Sequence, residues 1–256
     1  MSVDSDRFRI VSGSLRIGAA RIGARLRRCA VAVLGATCLT LPISAPQIDA
    51  RREAEPLLPV TGHWTNGVDD GPSLTVDGTK WSGTTDSLAL VQSSMQLFGS
   101  ANASFVANGR AVGAFPLAVA AGVRQFTTGT LRVRFKLLGG ASDQNAGIVF
   151  GLQPNGEYFY LRYNTKDGDL ALWAFANGAR RVIAHGEAKS QLPLNTWQTL
   201  EVTIKGRELS AGVLSDNTLR FVHTFDTVPT GRVGVWVKRD AVTSFQRFEA
   251  ETASAR

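Results

Sequence analysis

Apolar and polar residues alternate along two stretches of this 256-residue chain, and that alternation limits the possible fold more than any other feature. Thr130–Leu138 sets Leu131, Val133, Phe135 and Leu137 against Arg132, Arg134 and Lys136. Trp197–Lys205 sets Leu200, Val202 and Ile204 against Thr199, Glu201, Thr203 and Lys205. A period of two is what a strand needs when one face is buried and the other is wet. Tyr158–Asn164 and Leu170–Phe175 flank Lys166-Asp167-Gly168, and Asn177-Gly178 precedes Arg181–His185. Asp-Gly and Asn-Gly supply the positive φ angles of tight hairpin turns. Leu219–Phe225, Gly231–Lys238 and Thr243–Glu249 continue the series. Shorter strands are expected at Ser73–Asp77, Ser94–Phe98, Ser104–Ala107 and Phe115–Ala118. Roughly a dozen strands, about ten residues apart, predict an all-β protein: an antiparallel β-sandwich of jelly-roll type. Beyond the first fifty residues, no stretch of ten or more carries a convincing 3.6-residue period, so no helix is expected there.

The N-terminal fifty residues read differently. Arg21, Arg25, Arg27 and Arg28 precede an apolar run from Cys29 to Ile43, and small residues follow at Ser44, Ala45 and Ala50. This is the pattern of a cleavable secretory leader. The run is too short to cross a hydrocarbon core of about 30 Å as a helix. The expected organisation is a leader at 1–50, a polar linker at 51–57 and a single domain at 58–256, secreted or periplasmic in a bacterium. Cys29 and Cys38 leave with the leader, so the mature domain has neither disulfide nor thiolate chemistry. Charge divides the same way. Of the formal +7, residues 1–50 hold seven arginines against three aspartates, leaving 21 basic and 18 acidic side chains beyond them. A mature domain so nearly balanced does not attract a nucleic acid, and no membrane partner is expected once the leader is gone.

Sorting the strands by parity gathers one unusual face. Tyr158, Tyr160, Arg162 and Asn164 lie opposite Phe159, Leu161 and Tyr163; Trp173 lies opposite Leu170 and Leu172; Trp236 and Lys238 lie opposite Val233, Val235 and Val237. If these sets share one sheet surface, rings and cations converge there, with Asp240 at a strand end. Such a surface fits a saccharide, whose C–H face packs on aromatic rings while its hydroxyls pair with polar side chains. Tyr158, Tyr160, Arg162, Asn164, Trp173, Trp236 and Lys238 are therefore the candidate substrate-binding residues. The competing reading puts Trp173 and Trp236 in the core of a further layer, with Arg162 and Lys238 on a solvated edge.

Catalytic patterns are sparse. Glycosidic cleavage commonly uses two carboxyl groups about 5–10 Å apart, and no Glu-x-Asp-x-x-Glu motif supplies them. Glu201 stands alone in its strand, and Asp69-Asp70 and Asp167-Gly168-Asp169 read as solvated turn acids. His63, His185 and His223 lack the spacing of a zinc site; His223 reads as a core residue and His185 as a strand-end residue able to line a cleft. No cofactor is implied. Loop acids such as Asp69, Asp70 and Asp240 could hold calcium, though not in a diagnostic spacing.

Ala146–Phe150, Tyr158–Asn164, Leu170–Trp173, Asn177-Gly178, Trp197 before Leu200–Val202, and Gly231–Trp236 with Lys238, Asp240 and Phe245 form a string that resembles the concanavalin A-like lectin/glucanase sandwich. Within it, residues 115–250 are most similar to secreted bacterial 3-keto-disaccharide hydrolase domains, with Glu157 standing where that group often has Asn. The resemblance implies a jelly roll with a concave sugar-facing sheet and, in some members, cleavage of oxidised disaccharides or related glycosides. Three functions follow as expectations: a carbohydrate-binding sandwich, a hydrolase or lyase of 3-keto-glycosides, or a protein-interaction module. For the second, a 3-keto group acidifies the adjacent C–H, so one base and one cation suffice; His185 and Asp240 are the candidate catalytic residues, with Arg162 and Lys238 as cations.

Overall fold

The strand alternation resolves into two antiparallel sheets of seven strands each. The computed structural model describes residues 54–80, 87–111 and 115–252; the expected leader and residues 51–53 of the expected linker lie outside them. The first sheet runs β1 (Leu57–Thr61), β4 (Leu117–Ala120), β13 (Arg232–Trp236), β6 (Asn145–Leu152), β7 (Tyr158–Asn164), β8 (Asp169–Ala176) and β9 (Ala179–His185). The second runs β12 (Asp216–Thr224), β11 (Glu208–Val213), β10 (Gln198–Lys205), β5 (Gly129–Gly139), β14 (Val242–Thr252), β3 (Pro72–Asp77) and β2 (Trp64–Val68). β1 thus begins at Leu57, the last residue of the expected linker, and the preceding Pro56 carbonyl accepts the Ala121 N–H. Among the described residues no helix is long and apolar enough to cross a membrane.

The inward set of each strand meets its counterpart between the sheets. Val133, Phe135 and Leu137 from β5, Leu200, Val202 and Ile204 from β10, and Ile148, Leu161, Leu172, Val233 and Val235 from the first sheet are all essentially buried there. Each such side chain contributes about 1.5–3 kcal/mol when removed from water. The core also anchors a loop: Tyr163 Oη donates to the Ser190 carbonyl at 2.9 Å and accepts the Leu192 N–H at 2.7 Å. The hairpins use the turns expected of them. Asn177 (φ 52°) and Gly178 (φ 70°) join β8 to β9 with two successive positive φ angles, the signature of a type I′ turn.

One expectation is overturned. Ser94–Phe98 and Ser104–Ala107 are not strands but parts of two helices, α1 (Ser87–Phe98) and α2 (Ala103–Ala111). Leu90, Ser94 and Leu97 are buried at i, i+4 and i+7, so a helical stripe is present with a serine at its centre. Ser94 Oγ lies 2.9 Å from the Val91 carbonyl and 3.0 Å from Asn102 Nδ2, which satisfies a hydroxyl that would otherwise be costly to bury. Leu90, Leu97, Phe105 and Val106 pack with Val60, Leu117, Val119, Val149 and Leu152 on the outer side of the first sheet. One end of that sheet is consequently buried on both faces. The strand expected at Phe115–Ala118 is β4, two residues later.

β13 and β4 approach so closely that no side chain fits at Gly234. A Cβ there would collide with the Ala118 carbonyl oxygen and come within 2.8 Å of Val119 Cα. Gly234→Ala is expected to cost about 1–3 kcal/mol, the range of core overpacking, read as a lowered midpoint in urea unfolding with an unchanged slope. An unchanged midpoint would mean the two strands can separate without penalty.

Candidate ligand-binding face

The expected parity places its residues on one surface, the outer face of the first sheet. Register defines two adjacent rows across the strands. Trp236, Gly147, Arg162, Ala171 and His185 form one, and Gly234, Val149, Tyr160, Trp173 and Val182 the other. Gly147 keeps the space between Trp236 and Arg162 open, since a Cβ would sit 3.4 Å from the Trp236 indole and 2.8 Å from the Leu161 carbonyl oxygen. β9 contributes through an irregularity. Ala171 and Trp173, two residues apart on β8, face His185 and Val182, three apart on β9. This extra residue is a bulge. Ile183 and Ala184 consequently both pack toward the core, while Arg180 and His185 both reach the outer face.

The face has a covered end and an open end. At the covered end Trp236 is fully buried, with its ring 4.0 Å from that of Tyr160 and 5.0 Å from that of Phe115. Trp236 Nε1 donates to Tyr158 Oη at 3.3 Å, and Tyr158 stacks on Phe175 at 4.9 Å. Burial pushes the Tyr158 phenol well above its usual pKa. Trp236 and Tyr158 therefore belong to the apolar layer beneath α1 and α2, out of a ligand's reach. For Trp236 the second-layer reading holds, although the covering layer is helical.

At the open end Trp173 is partly exposed and parallel to Tyr160, with ring centres 6.1 Å apart at 9°. Two guanidinium groups flank it: Arg180 at 5.1 Å and Arg162 at 5.8 Å from the ring centre. Arg162 is only 4 % exposed, and its Nη2 pairs with Asp169 Oδ1 at 2.6 Å and Asp167 Oδ2 at 3.2 Å. The other Asp169 oxygen lies 3.2 Å from Nδ1 of the half-exposed His185. Asn164 is committed on every side: Nδ2 donates to Asp167 and Asp143, while Oδ1 accepts the N–H groups of Gln144 and Lys166. It organises the rim and has nothing left to offer a ligand. Lys238 pairs with the buried Asp143 at 3.1 Å. Burial holds the Lys238 ammonium below its ordinary pKa, with the charges of Arg180 and Arg239 adding to that effect and Asp143 opposing it.

Several buried polar atoms on this face have no hydrogen-bond partner: Tyr160 Oη, Arg162 Nε, Trp173 Nε1 and, at the rim, Asp143 Oδ2. Burial pushes the Tyr160 phenol up to about 12, with the nearby Arg180 and Arg162 charges pulling the other way. Asp143, Asp169 and Arg180 were not among the sequence candidates. Asp169 shares the parity of Ala171 and Trp173, which was a usable signal, but its place beside Asp167-Gly168 reads as a solvated turn acid. It is in fact 8 % exposed. Arg180 had a usable signal in the Asn177-Gly178 turn, which pairs Ala176 with Ala179 and so sets Arg180 opposite Phe175, of the same parity as Trp173.

Asp240 stands apart. Its two oxygens accept the backbone N–H groups of Ala141, Ser142 and Asp143 at 2.7, 2.8 and 3.0 Å. Desolvation raises its pKa, but these three bonds outweigh it and hold the carboxyl below the usual range. A carboxylate so engaged is a poor base, and these three contacts give Asp240 a structural task, tying the strand end to the 141–143 turn. Asp69 and Asp70, the other loop acids considered for calcium, pair with Lys136 and Arg134 on the second sheet. His63 is exposed and His223 packs edge-on against Phe225. Among the described residues no group of three or more His, Cys, Asp or Glu is placed to hold a metal ion. A groove of about 600 Å³ lined by Glu187, Glu201, Arg220 and Val222 shares only His185 with this face.

Because the folded Asp240 carboxyl titrates below its unfolded value of about 3.9, its stabilisation is complete above that value and is lost as pH falls through the folded pKa. Asp240→Asn should therefore lower Tm at pH 7 and approach wild type at pH 3. An equal deficit at both pH values would show that charge plays no part.

No protein-family model matches the chain, and no curated protein matches it in sequence. The narrower resemblance to 3-keto-disaccharide hydrolase domains rests on its motif string alone. Among solved structures, the chain is similar to the carbohydrate-binding module CBM66 from Bacillus subtilis, at TM-score 0.53 and 15% identity over 76% of this chain and 94% of that one. Looser likenesses include a functionally unknown protein from Saccharomyces cerevisiae (TM-score 0.43, 18% identity, 76% and 98% covered). Another is the galectin LEC-6 of Caenorhabditis elegans (TM-score 0.35, 18% identity, 50% and 87% covered). At these scores the last two carry no argument. The chain therefore has an antiparallel β-sandwich fold, like that of the Bacillus subtilis module.

Proposed function

We propose that this chain is an exported saccharide-binding protein whose site is the open end of the outer face of the first sheet. The observation that carries this is the set of orphan groups in neighbouring register positions. Tyr160 Oη, Arg162 Nε and Trp173 Nε1 are buried without hydrogen bonds, beside a partly exposed indole. An unpaired buried donor costs about 1–3 kcal/mol, and three in one place are offset by a ligand rich in oxygen. Trp173 supplies the apolar platform for a sugar ring, and His185 and Lys238 bound the site on either side. The sandwich fold, shared with a module titled as carbohydrate-binding, is consistent with this at the level of fold. The pattern of residues 1–50 supports export, to the periplasm or beyond.

Trp173→Ala should abolish glycan binding while leaving the fold intact, because that ring is partly exposed. Trp236→Ala should instead cost about 3–5 kcal/mol of stability, as large core truncations do. A glycan titration followed by tryptophan fluorescence, with urea unfolding of both variants, separates the two effects. Unaltered glycan affinity in Trp173→Ala would remove the basis of the proposal.

A second reading is favoured by one contact. Asp169 holds Nδ1 of His185, which fixes the ring and leaves Nε2 as a proton acceptor, with the Arg162 cation joined to the same carboxylate. That is a base beside a cation, the pair needed for proton abstraction next to a 3-keto group. Incubation with 3-keto-disaccharides should give product at a rate that falls about 100-fold or more in His185→Ala. Absence of turnover in the wild type disposes of this reading and leaves binding untouched.

A further inference from the structure

Three of the four unpaired atoms of the open face carry a proton to donate, and that bias selects among saccharides. Arg162 Nε–H and Trp173 Nε1–H can only donate, and the Tyr160 hydroxyl has a proton to give. The acceptor among the orphans, Asp143 Oδ2, already faces Arg239 Nε at 3.5 Å. The charges add a second, independent observation. Arg162 is matched by Asp167 and Asp169, and Lys238 and Arg239 by Asp143. Among the described residues no carboxylate lies in ion-pair range of Arg180. Its guanidinium rests on rings instead, 5.1 Å from the centre of Trp173 and 5.6 Å from that of Phe115. A cation held by aromatic faces and the neutral Tyr160 phenol, with no carboxylate, remains free to exchange them for an anion.

We infer that the saccharide taken by this face is acidic, its carboxylate seated at Arg180 and the Tyr160 and Trp173 donors. The inference rests on the saccharide reading and narrows it to the uronic acid class. A carboxylate accepts without donating, so it satisfies donors that a neutral hydroxyl would meet only in part. Its planar pair of oxygens matches the fork of one guanidinium. The same charge supplies the counterion that the face lacks. Arg180 is also the movable part of the arrangement, since a long side chain stacked on Trp173 can swing aside and expose the indole beneath it.

The test uses the full chain and oligomers of galacturonate, glucuronate and mannuronate, each paired with its fully methyl-esterified form, in calorimetric titrations. Esterification removes the charge and keeps the sugar skeleton. At least one acid is expected to bind about tenfold or more tightly than its ester, as a charge-assisted hydrogen bond allows. Arg180→Gln should bring that ratio close to one, and Arg180→Lys should restore part of it. Equal affinity of acid and ester, a preference for the ester, or a ratio unmoved by Arg180→Gln would overturn the inference. If esters or other neutral oligosaccharides bind and Trp173→Ala abolishes that binding, the saccharide site stands and only its acidic preference falls. If no glycan of either kind binds, both are lost.

Discussion

Burying a guanidinium is expensive unless it is paired, and the open face depends on how Arg162 meets that requirement. The carboxylates that pair with it come from the turn into β8 and from the first residue of that strand. The ion pair thereby ties β7 to its hairpin partner at the end farthest from the helices. Asp169 has a second oxygen, and that oxygen reaches His185 on β9. One buried cation thus orders groups on three successive strands, and removing either partner leaves an uncompensated charge in a largely dry place. What the pairing leaves unsatisfied is Arg162 Nε, on a residue one register row from Tyr160 and Trp173.

The helical layer decides how much of the sheet a ligand can use. α1, α2 and Phe115 bury the Trp236 end, where aromatic rings stack on one another and polar atoms are spent internally. Beyond Tyr160 the character changes from apolar to ionic within one strand, since Tyr158 and Tyr160 are followed by Arg162 and Asn164 on the same side. Tyr160 sits at that boundary, stacked on the sealed Trp236 on one side and parallel to Trp173 on the other. The rigid ring stack fixes the plane of the indole that would carry a sugar, which is the preorganisation a weak apolar contact requires.

Much of this was legible in the sequence because a strand has only two sides. Parity alone assigned Tyr160, Arg162, Trp173 and Lys238 to one face, and Asn177-Gly178 named its own turn. Parity could not say what lies above a face, so Trp236 and Tyr158 looked as available as Trp173. The helices escaped notice because Ser94 occupies the middle of the buried stripe of α1, and a serine interrupts an apolar period even when its hydroxyl is satisfied locally. Asp169 was misjudged for a related reason: next to Asp167-Gly168 it looks like a turn residue, and only the partner strand reveals that it is buried. Asp240 was legible as the end of a strand, but its three backbone donors come from residues nearly a hundred positions away.

The bulge in β9 bears on how such a face could arise. Plain alternation from Val182 would turn His185 inward and Ala184 outward, because three positions separate Val182 from His185 where two separate Trp173 from Ala171. The extra residue absorbs that odd step, so Ile183 and Ala184 both keep to the interior and the imidazole stays beside Asp169. Pulled straight without losing a residue, the same strand would put an alanine methyl where the ring now stands. A kink in the backbone, and no change of residue type, therefore gives this edge its titratable group.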